Sequence, residues 1–301
     1  MPNAALVEVG RWLRAQDYQF ITITPETHRR VNARPEAAVA RTLRDVFGWS
    51  RPFEPSLLPQ AIVDALRAAD SVIERDGLLV SMVRFSSLHG GLYAHSAYPT
   101  RDENAVFFGP DTYRFAGVLA REVERATRVL DVGCGSGAGG LMLAERAGAI
   151  VLADINPRAV VFARANAELA GVADRVEVVL GDLYAPVSGE LDLIIANPPY
   201  LVDPGQRVYR DGGGVLGTGL AVRILREGLP RLRSGGRLIL YTGAPIVDGE
   251  DRVLAELTPH LAGAQWRYAE LDPDVFGEEL DTPAYAAVDR IAAVALIATV
   301  D

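Results

Sequence analysis

The 301-residue chain contains no lysine; all 30 of its basic residues are arginine. A G+C-rich coding sequence accounts for that absence, and no chemistry is read from it. Cysteine is almost missing too, with Cys134 alone. A single cysteine excludes an intrachain disulfide and points to a reducing compartment. No charged-then-apolar leader of the secretory kind opens the sequence. The longest apolar run, Ile291 to Val300, is too short to span a bilayer and reads as a buried strand. Positive charge is the scarcer sign, 30 basic residues against 39 acidic, for a net charge of −9. Proteins that coat nucleic acid without regard to sequence need a basic surface, so that class is excluded, although a local basic groove is not. The expectation is a cytoplasmic protein with no membrane partner.

What the chain does have is an ordinary globular composition, 49% hydrophobic and 23% charged, with length enough for one large or two smaller domains. The first 70 residues read as helical, with candidates at Ala4–Gln16, Pro35–Phe47 and Leu58–Ala69. Leu78–Phe85 and Gly91–Ala97 read as strands around Ser86–Gly90, a hairpin, and helices followed by a hairpin suggest a winged-helix-like module. A connecting helix is expected over Asp111–Arg125, with Asp111 or Thr112 as its N-cap.

From Arg128 onward strands and helices alternate. Strands are expected at Arg128–Val132, Ile150–Ala153, Val176–Leu180, Leu191–Ala196, Arg237–Tyr241, Gln265–Leu271 and Ile291–Val300. Helices are expected at Ala138–Ala147, Pro157–Ala170, Gly219–Leu232 and Glu250–Leu261. This alternation implies an α/β fold with a doubly wound parallel sheet and a ligand site at the strands' C-terminal ends. The change of pattern divides the chain into an N-terminal accessory domain, 1–104, and a catalytic domain, 105–301.

Two short stretches carry chemistry. Asp131-Val132-Gly133-Cys134-Gly135-Ser136-Gly137 joins a buried strand to a helix. Glycines there allow a tight turn and let backbone approach a ligand, and the helix N-terminus offers free N–H groups. Gly135, Gly137 and Gly140 also satisfy the dinucleotide spacing, so a nicotinamide enzyme has to be weighed. Asp154 ends the next strand, where an acid receives ribose hydroxyls in either kind of enzyme. The second stretch is Asn197-Pro198-Pro199-Tyr200, after the apolar run Leu191–Ala196. An amide, two prolines and an aromatic ring make a rigid mouth with free carbonyls, suited to gripping a flat amino group.

Together these stretches resemble the class I S-adenosylmethionine (SAM) methyltransferases that modify planar nitrogens. That resemblance implies a Rossmann-like sheet, mostly parallel with an antiparallel last strand, behind a mainly helical accessory domain carrying a β-hairpin. It implies SAM as cofactor, with Asp131 toward the methionine end, Asp154 at the ribose and Asp182 at the adenine amino group. Gly133, Cys134, Gly135, Gly137, Ile155, Leu183 and Asn197 complete the expected cofactor set. Acids suit a sulfonium and an ammonium but repel a pyrophosphate, which weighs against NAD. It also implies a catalytic role for Asn197, Pro198, Pro199 and Tyr200: Asn197 and the Pro198 carbonyl accept the two N–H bonds, and Tyr200 stacks on the acceptor through its ring face.

Phe107-Phe108-Gly109-Pro110-Asp111-Thr112 is similar to a segment that closes over the cofactor in release-factor glutamine methyltransferases, although the arginine usual between two prolines there is absent. Tyr209–Gly214 and Gly217–Gly219 resemble their glycine-rich stretch. The acceptor expected from this is a protein glutamine in a partner such as a release factor. An exocyclic amine of adenine or cytosine in nucleic acid, a small molecule, and a noncatalytic SAM-binding subunit are the rivals. No metal is expected, since His28, His89, His95 and His260 show no ligand spacing.

Overall fold

The structure, a computed structural model, describes residues 2–100, 102–205 and 207–301. The front segment holds four helices, α1 (Pro2–Ala15), α2 (Pro25–Asn32), α3 (Leu43–Phe47) and α4 (Gln60–Ala68). Two antiparallel hairpins follow, β1 (Val72–Arg75) with β2 (Leu78–Ser81), and β3 (Val83–Leu88) with β4 (Gly91–Ser96).

Several sequence expectations need correction here. The helix read over Pro35–Phe47 is a 3-10 turn at Pro35–Ala37 followed by α3. Thr42 and Asp45 exchange a capping box that starts α3 afresh, because each satisfies a backbone N–H the other end leaves free. Helix α2 was not expected; Thr24 caps it by accepting from the Thr27 N–H, and Pro25 sits in its first turn. The strand read over Leu78–Phe85 breaks at Met82, whose N–H donates to the Ser71 carbonyl. The extra hairpin turns at Asp76-Gly77, with φ of 52° and 78°. Two consecutive positive φ values match the strand twist, which is why such a pair makes a tight hairpin.

Helix α5 (Pro110–Glu122) starts from Gly109, and neither Asp111 nor Thr112 is its N-cap. Pro110 takes the first helical position, so Asp111 lies within the first turn with its carboxylate free for other partners. The remaining elements are β5 (Ala126–Val132), α6 (Ala138–Leu141), β6 (Ala147–Asp154), α7 (Pro157–Ala170), β7 (Val176–Leu180) and β8 (Leu191–Ala196). They continue with α8 (Gly219–Gly228), β9 (Leu232–Val247), β10 (Glu250–Asp251), α9 (Arg252–Leu257), β11 (Ala264–Asp272) and β12 (Arg290–Val300). Helix α6 and helix α9 are shorter than read from sequence, and β9 is much longer.

The main sheet runs β11-β12-β9-β8-β5-β6-β7, with β10 beside β9. Strands β7, β6, β5, β8 and β9 are parallel neighbours, whereas β12 lies antiparallel to both β9 and β11. The fold is therefore the Rossmann-like sheet with an antiparallel last strand. The chain works outward from β5 to β7 and then returns to β8. That reversal opens a crevice at the C-terminal ends of β5 and β8, the expected place for a ligand. None of the helices described is long and apolar enough to cross a membrane.

One core lies on each face of the sheet. A third core fills the front segment and takes in Ala159, Phe162, Ala165 and Leu169 of α7. Gly10 lets α1 lie close to α7, since a Cβ there would stand 2.7 Å from the Leu169 side chain. Asn166 of α7 is buried in the same seam. Its Oδ1 accepts from the Ala94 N–H at 2.8 Å, and its Nδ2 donates to the carbonyls of Ala94 and Ser136 at 2.9 and 2.8 Å. One amide thus joins hairpin β3–β4, helix α7 and the glycine loop.

Replacing Asn166 by alanine leaves three buried backbone groups without this partner. Asn166→Ala is expected to lower stability by about 2–3 kcal/mol, the desolvation cost of orphaned polar groups. A urea unfolding curve checks this: an unchanged midpoint contradicts the bridging role.

Candidate active site

A cavity of about 690 Å³ opens at the crevice between β5 and β8. Its floor begins with the glycine loop. Gly133 and Gly135 have φ of 66° and 55°, and a Cβ on Gly133 would meet open space. The constraint there is backbone conformation. At Gly140 it is packing, because a Cβ would press on Leu152. Gly137, φ 78°, caps α6 beneath the floor and is the one residue of the expected cofactor set that does not line the cavity.

Two carboxylates project here. Asp131 Oδ2 accepts from the Gly140 N–H at 2.8 Å, and Asp154 accepts from Gly135 and Asn156 N–H groups, each at 2.8 Å. Both acids are buried, and neither pairs with an arginine among the described residues. Burial, reinforced by the neighbouring Asp154 charge, pushes the Asp131 carboxyl up to about 7. Burial also raises Asp154. Cys134 is buried beside both acids, and its thiol is raised well above the usual value by burial and then by those charges. It stays a protonated wall residue, since nucleophilic cysteine requires the thiolate.

Asp182 lines the cavity farther out, and Arg223 donates to both of its oxygens at 3.1 and 2.6 Å. Leu183 is buried with φ of 46°, and Ile155 is 55% exposed; both border the cavity.

Asn197, Pro198, Pro199 and Tyr200 also line the cavity, and Asn197 follows Ala196, the parallel neighbour of Val132. Asn197 is half-buried, and its side chain makes no hydrogen bond among the described residues. The Pro198 carbonyl accepts none either. Both residues line the cavity, and both acceptors are uncommitted among the described residues.

Tyr200 departs from expectation. Its hydroxyl donates to Asp111 Oδ2 at 2.6 Å, so the ring face is not its only working part. Asp111 Oδ1 accepts from the Tyr241 hydroxyl at 2.7 Å and from Arg114 at 3.1 Å. Burial, then the Asp111 charge, raises both phenols, which keeps them as donors. The ring lies over Gly243, where a Cβ would fall inside it, and packs edge-on against Phe276. Sequence reading placed Asp111 in a covering segment and as a cap, and missed this role. Tyr241 carried no signal, because its partner lies 130 positions away.

The loop after Tyr200 is braced by its own charges. Arg207 donates twice to Asp203, at 2.8 and 2.5 Å, and Arg210 donates to Glu279 at 2.5 Å. The Arg207 hydrogen bonds hold the Asp203 carboxyl down at about 2. Gly212 and Gly217 press against the Tyr200 backbone, where any Cβ would collide. His95 spends its ring nitrogens on Ser86 and the Ser96 carbonyl, and no His, Cys, Asp and Glu cluster fit for a metal occurs among the described residues.

Tyr200→Phe and Tyr241→Phe each remove one donor from a buried carboxylate. Each is expected to cost about 1–3 kcal/mol of stability, and the pair should be non-additive because they share Asp111. Denaturant titration of the three variants decides it; a Tyr200→Phe protein as stable as the original contradicts the shared-carboxylate geometry.

The model of the methyltransferase small domain matches residues 108–246. A release factor glutamine methyltransferase from Deinococcus radiodurans is 32% identical over 221 residues, covering 71% of this chain and 77% of that protein. A ribosomal RNA small subunit methyltransferase C from Chromohalobacter salexigens is 38% identical over 117 residues, covering 39% of this chain and 32% of that protein. Among solved structures, wild-type Trm5b from Pyrococcus abyssi superposes with a TM-score of 0.53 over 93% of this chain and 78% of that chain, at 17% identity. That likeness speaks to the fold alone.

Proposed function

The chain belongs to the family of the release factor glutamine methyltransferases, within the small-domain methyltransferases, and on that premise we propose that its acceptor is the side-chain amide of a protein glutamine. It is a methyltransferase, and SAM is its methyl donor. The site's chemistry fits that donor. Two buried carboxylates without arginine partners want a cation, and Gly133 leaves open space beside them. Asp131 would hold the methionine end, Asp154 the ribose hydroxyls, and Asp182, with Ile155 and Leu183, the adenine. SAM supplies an electrophilic methyl group on a positive sulfur.

The protein's task is to make a poor nucleophile reactive. An amide nitrogen has its lone pair delocalised into the carbonyl. Asn197 Oδ1 and the Pro198 carbonyl accept its two hydrogens, and the nitrogen then moves toward a tetrahedral shape with its lone pair free. Those bonds strengthen as the hydrogens become more acidic, so they act chiefly in the transition state. Positioning and charge stabilisation suffice, with no strong base. The observation that carries this reading is the pair of uncommitted acceptors, Asn197 and Pro198, on a cavity that two buried acids also line.

A protein acceptor is favoured over nucleic acid by the charges around Tyr200. Arg207 and Arg210 are spent on Asp203 and Glu279, and the chain as a whole carries −9. The second reading, methylation of an exocyclic amine in RNA, draws on the relative named as a ribosomal RNA methyltransferase. Residues 1–104 are proposed to select the macromolecular partner.

SAM binding should depend on pH with a definite sign. The native Asp131 carboxyl, at about 7, lies above the range it has in the unfolded chain. Without ligand it contributes stability below the unfolded value, and that contribution is lost as pH rises through 7. A cation binds the ionised form, so SAM binding expels a proton below that value. Calorimetry should show affinity falling by up to about tenfold per pH unit on the acid side. A flat profile from pH 8 to 5 overturns the assignment of Asp131 to a cationic group.

Asn197→Ala should keep SAM affinity while lowering the turnover by about a hundred- to a thousandfold. Labelled methyl transfer into lysate supplies the assay. Protease-sensitive label supports the glutamine reading, and nuclease-sensitive label replaces it with the second one.

A further inference from the structure

Arg84 lies on β3 opposite His95 of β4 and is only 3% exposed. Its guanidinium stacks 5.3 Å from the centre of the Phe20 ring. Nε and Nη2 have no hydrogen-bond partner. These two nitrogens form one edge of the guanidinium plane. Among the described residues no carboxylate pairs with this cation; the titratable groups that face it are Tyr18, Tyr98, Tyr113, His28 and His95. All are neutral, since burial raises the phenols, and burial together with Arg84 itself lowers the imidazoles.

A buried charge with no counter-ion is costly, and orphaned buried donors are rare in native proteins. The fold keeps one here beside its active-site cavity. Arg84 borders a small cavity of about 10 Å³, room for one water-sized group. Pro25, Tyr98, Thr100 and Phe107 wall both this niche and the large cavity. Tyr209, from the loop after Tyr200, donates to the Thr100 carbonyl at 3.2 Å, which puts that wall on the acceptor side.

We propose that Arg84 is the receptor for a carboxylate carried by the methyl acceptor, reached by displacement of the Tyr98–Thr100 wall. The assignment rests on the protein-acceptor reading. A planar carboxylate matches the free guanidinium edge with two parallel N–H···O bonds, which a lysine could not offer. A phosphate monoester fits worse. Asp211, Glu278 and Glu279 on the large cavity oppose a second negative charge. The acceptor would thus be recognised at two points, its amide by Asn197 and its carboxylate by Arg84. An acidic residue near the target glutamine, or a chain terminus, would meet that need.

The test uses the full chain and formate, the smallest carboxylate, against chloride and inorganic phosphate at equal ionic strength. Formate should raise the wild-type melting midpoint by about 2 °C more than chloride does. That increment should vanish in Arg84→Met and shrink in Arg84→Lys, which keeps the charge but loses the fork. Should Arg84→Met fail to fold, Arg84→Gln gives the same comparison with a polar, neutral side chain. Equal shifts from formate and chloride, or an undiminished formate shift in the neutral variants, overturn the proposal. A larger shift from phosphate than from formate overturns the carboxylate assignment. The readout is anion binding, so failure here leaves the glutamine reading standing, whereas nuclease-sensitive label in the methyl-transfer assay removes that reading and with it the acceptor's carboxylate as the ligand.

Discussion

The architecture of the acceptor wall depends on one buried carboxylate. Asp111 accepts hydroxyl donors from Tyr200 and Tyr241 and a guanidinium donor from Arg114. Those residues belong to the start of α5, the corner after β8 and the middle of β9, which are far apart in the chain. Arg114 extends the set to Asp272, where the chain leaves β11 for its long excursion before β12. A carboxylate with three donors in a dry setting admits few arrangements, because each lost bond exposes an unsolvated charge. Tyr200 is thereby fixed in height and tilt, with Gly243 clearing room for its ring. Pro198 and Pro199 stiffen the approach to it. The uncommitted Asn197 inherits its position from this arrangement.

Around that fixed corner the protein tolerates charges that its own folding does not balance. Asp131 and Asp154 are buried near each other with backbone donors only. Arg84 is buried with fewer partners still. Elsewhere the chain pairs its charges carefully, as at Arg207 with Asp203 and Arg223 with Asp182. The contrast separates charges paired within the chain from buried charges that no oppositely charged side chain meets among the described residues. Holding the latter costs stability, and a ligand that met them would gain by removing the unfavourable state.

The parts legible in the sequence were those governed by local rules. Strands β5, β6, β7 and β8 announce themselves as apolar runs ending in glycine, asparagine or aspartate, and the glycine loop and the Asn197 corner follow from backbone chemistry. Where local signals were present but passed over, the error was one of reading. Thr42 with Asp45 is a capping pair inside the supposed Pro35–Phe47 helix, and Asp76-Gly77 is a hairpin turn. The rest was not written locally at all. That Tyr241 should meet Asp111, or that Arg84 should lack an acid, depends on which segments the sheet brings together. Sheet order decides such contacts, and it is a property of the whole chain.

Helix α7 serves two masters through Asn166 and its apolar outer face. Phe162 and Leu169 belong to the core of the front segment, while Asn156 at its start ties the Asn104 carbonyl to the strand end bearing Asp154. The front segment consequently shares its core with α7. Its exchange between enzymes of this fold would have to carry the exterior of α7 along with it, including Ala159, which sits five positions after Asp154. Changes at the hairpins and loops would then be tolerated more readily than wholesale replacement of the segment, because the shared helix makes the two halves pack as one.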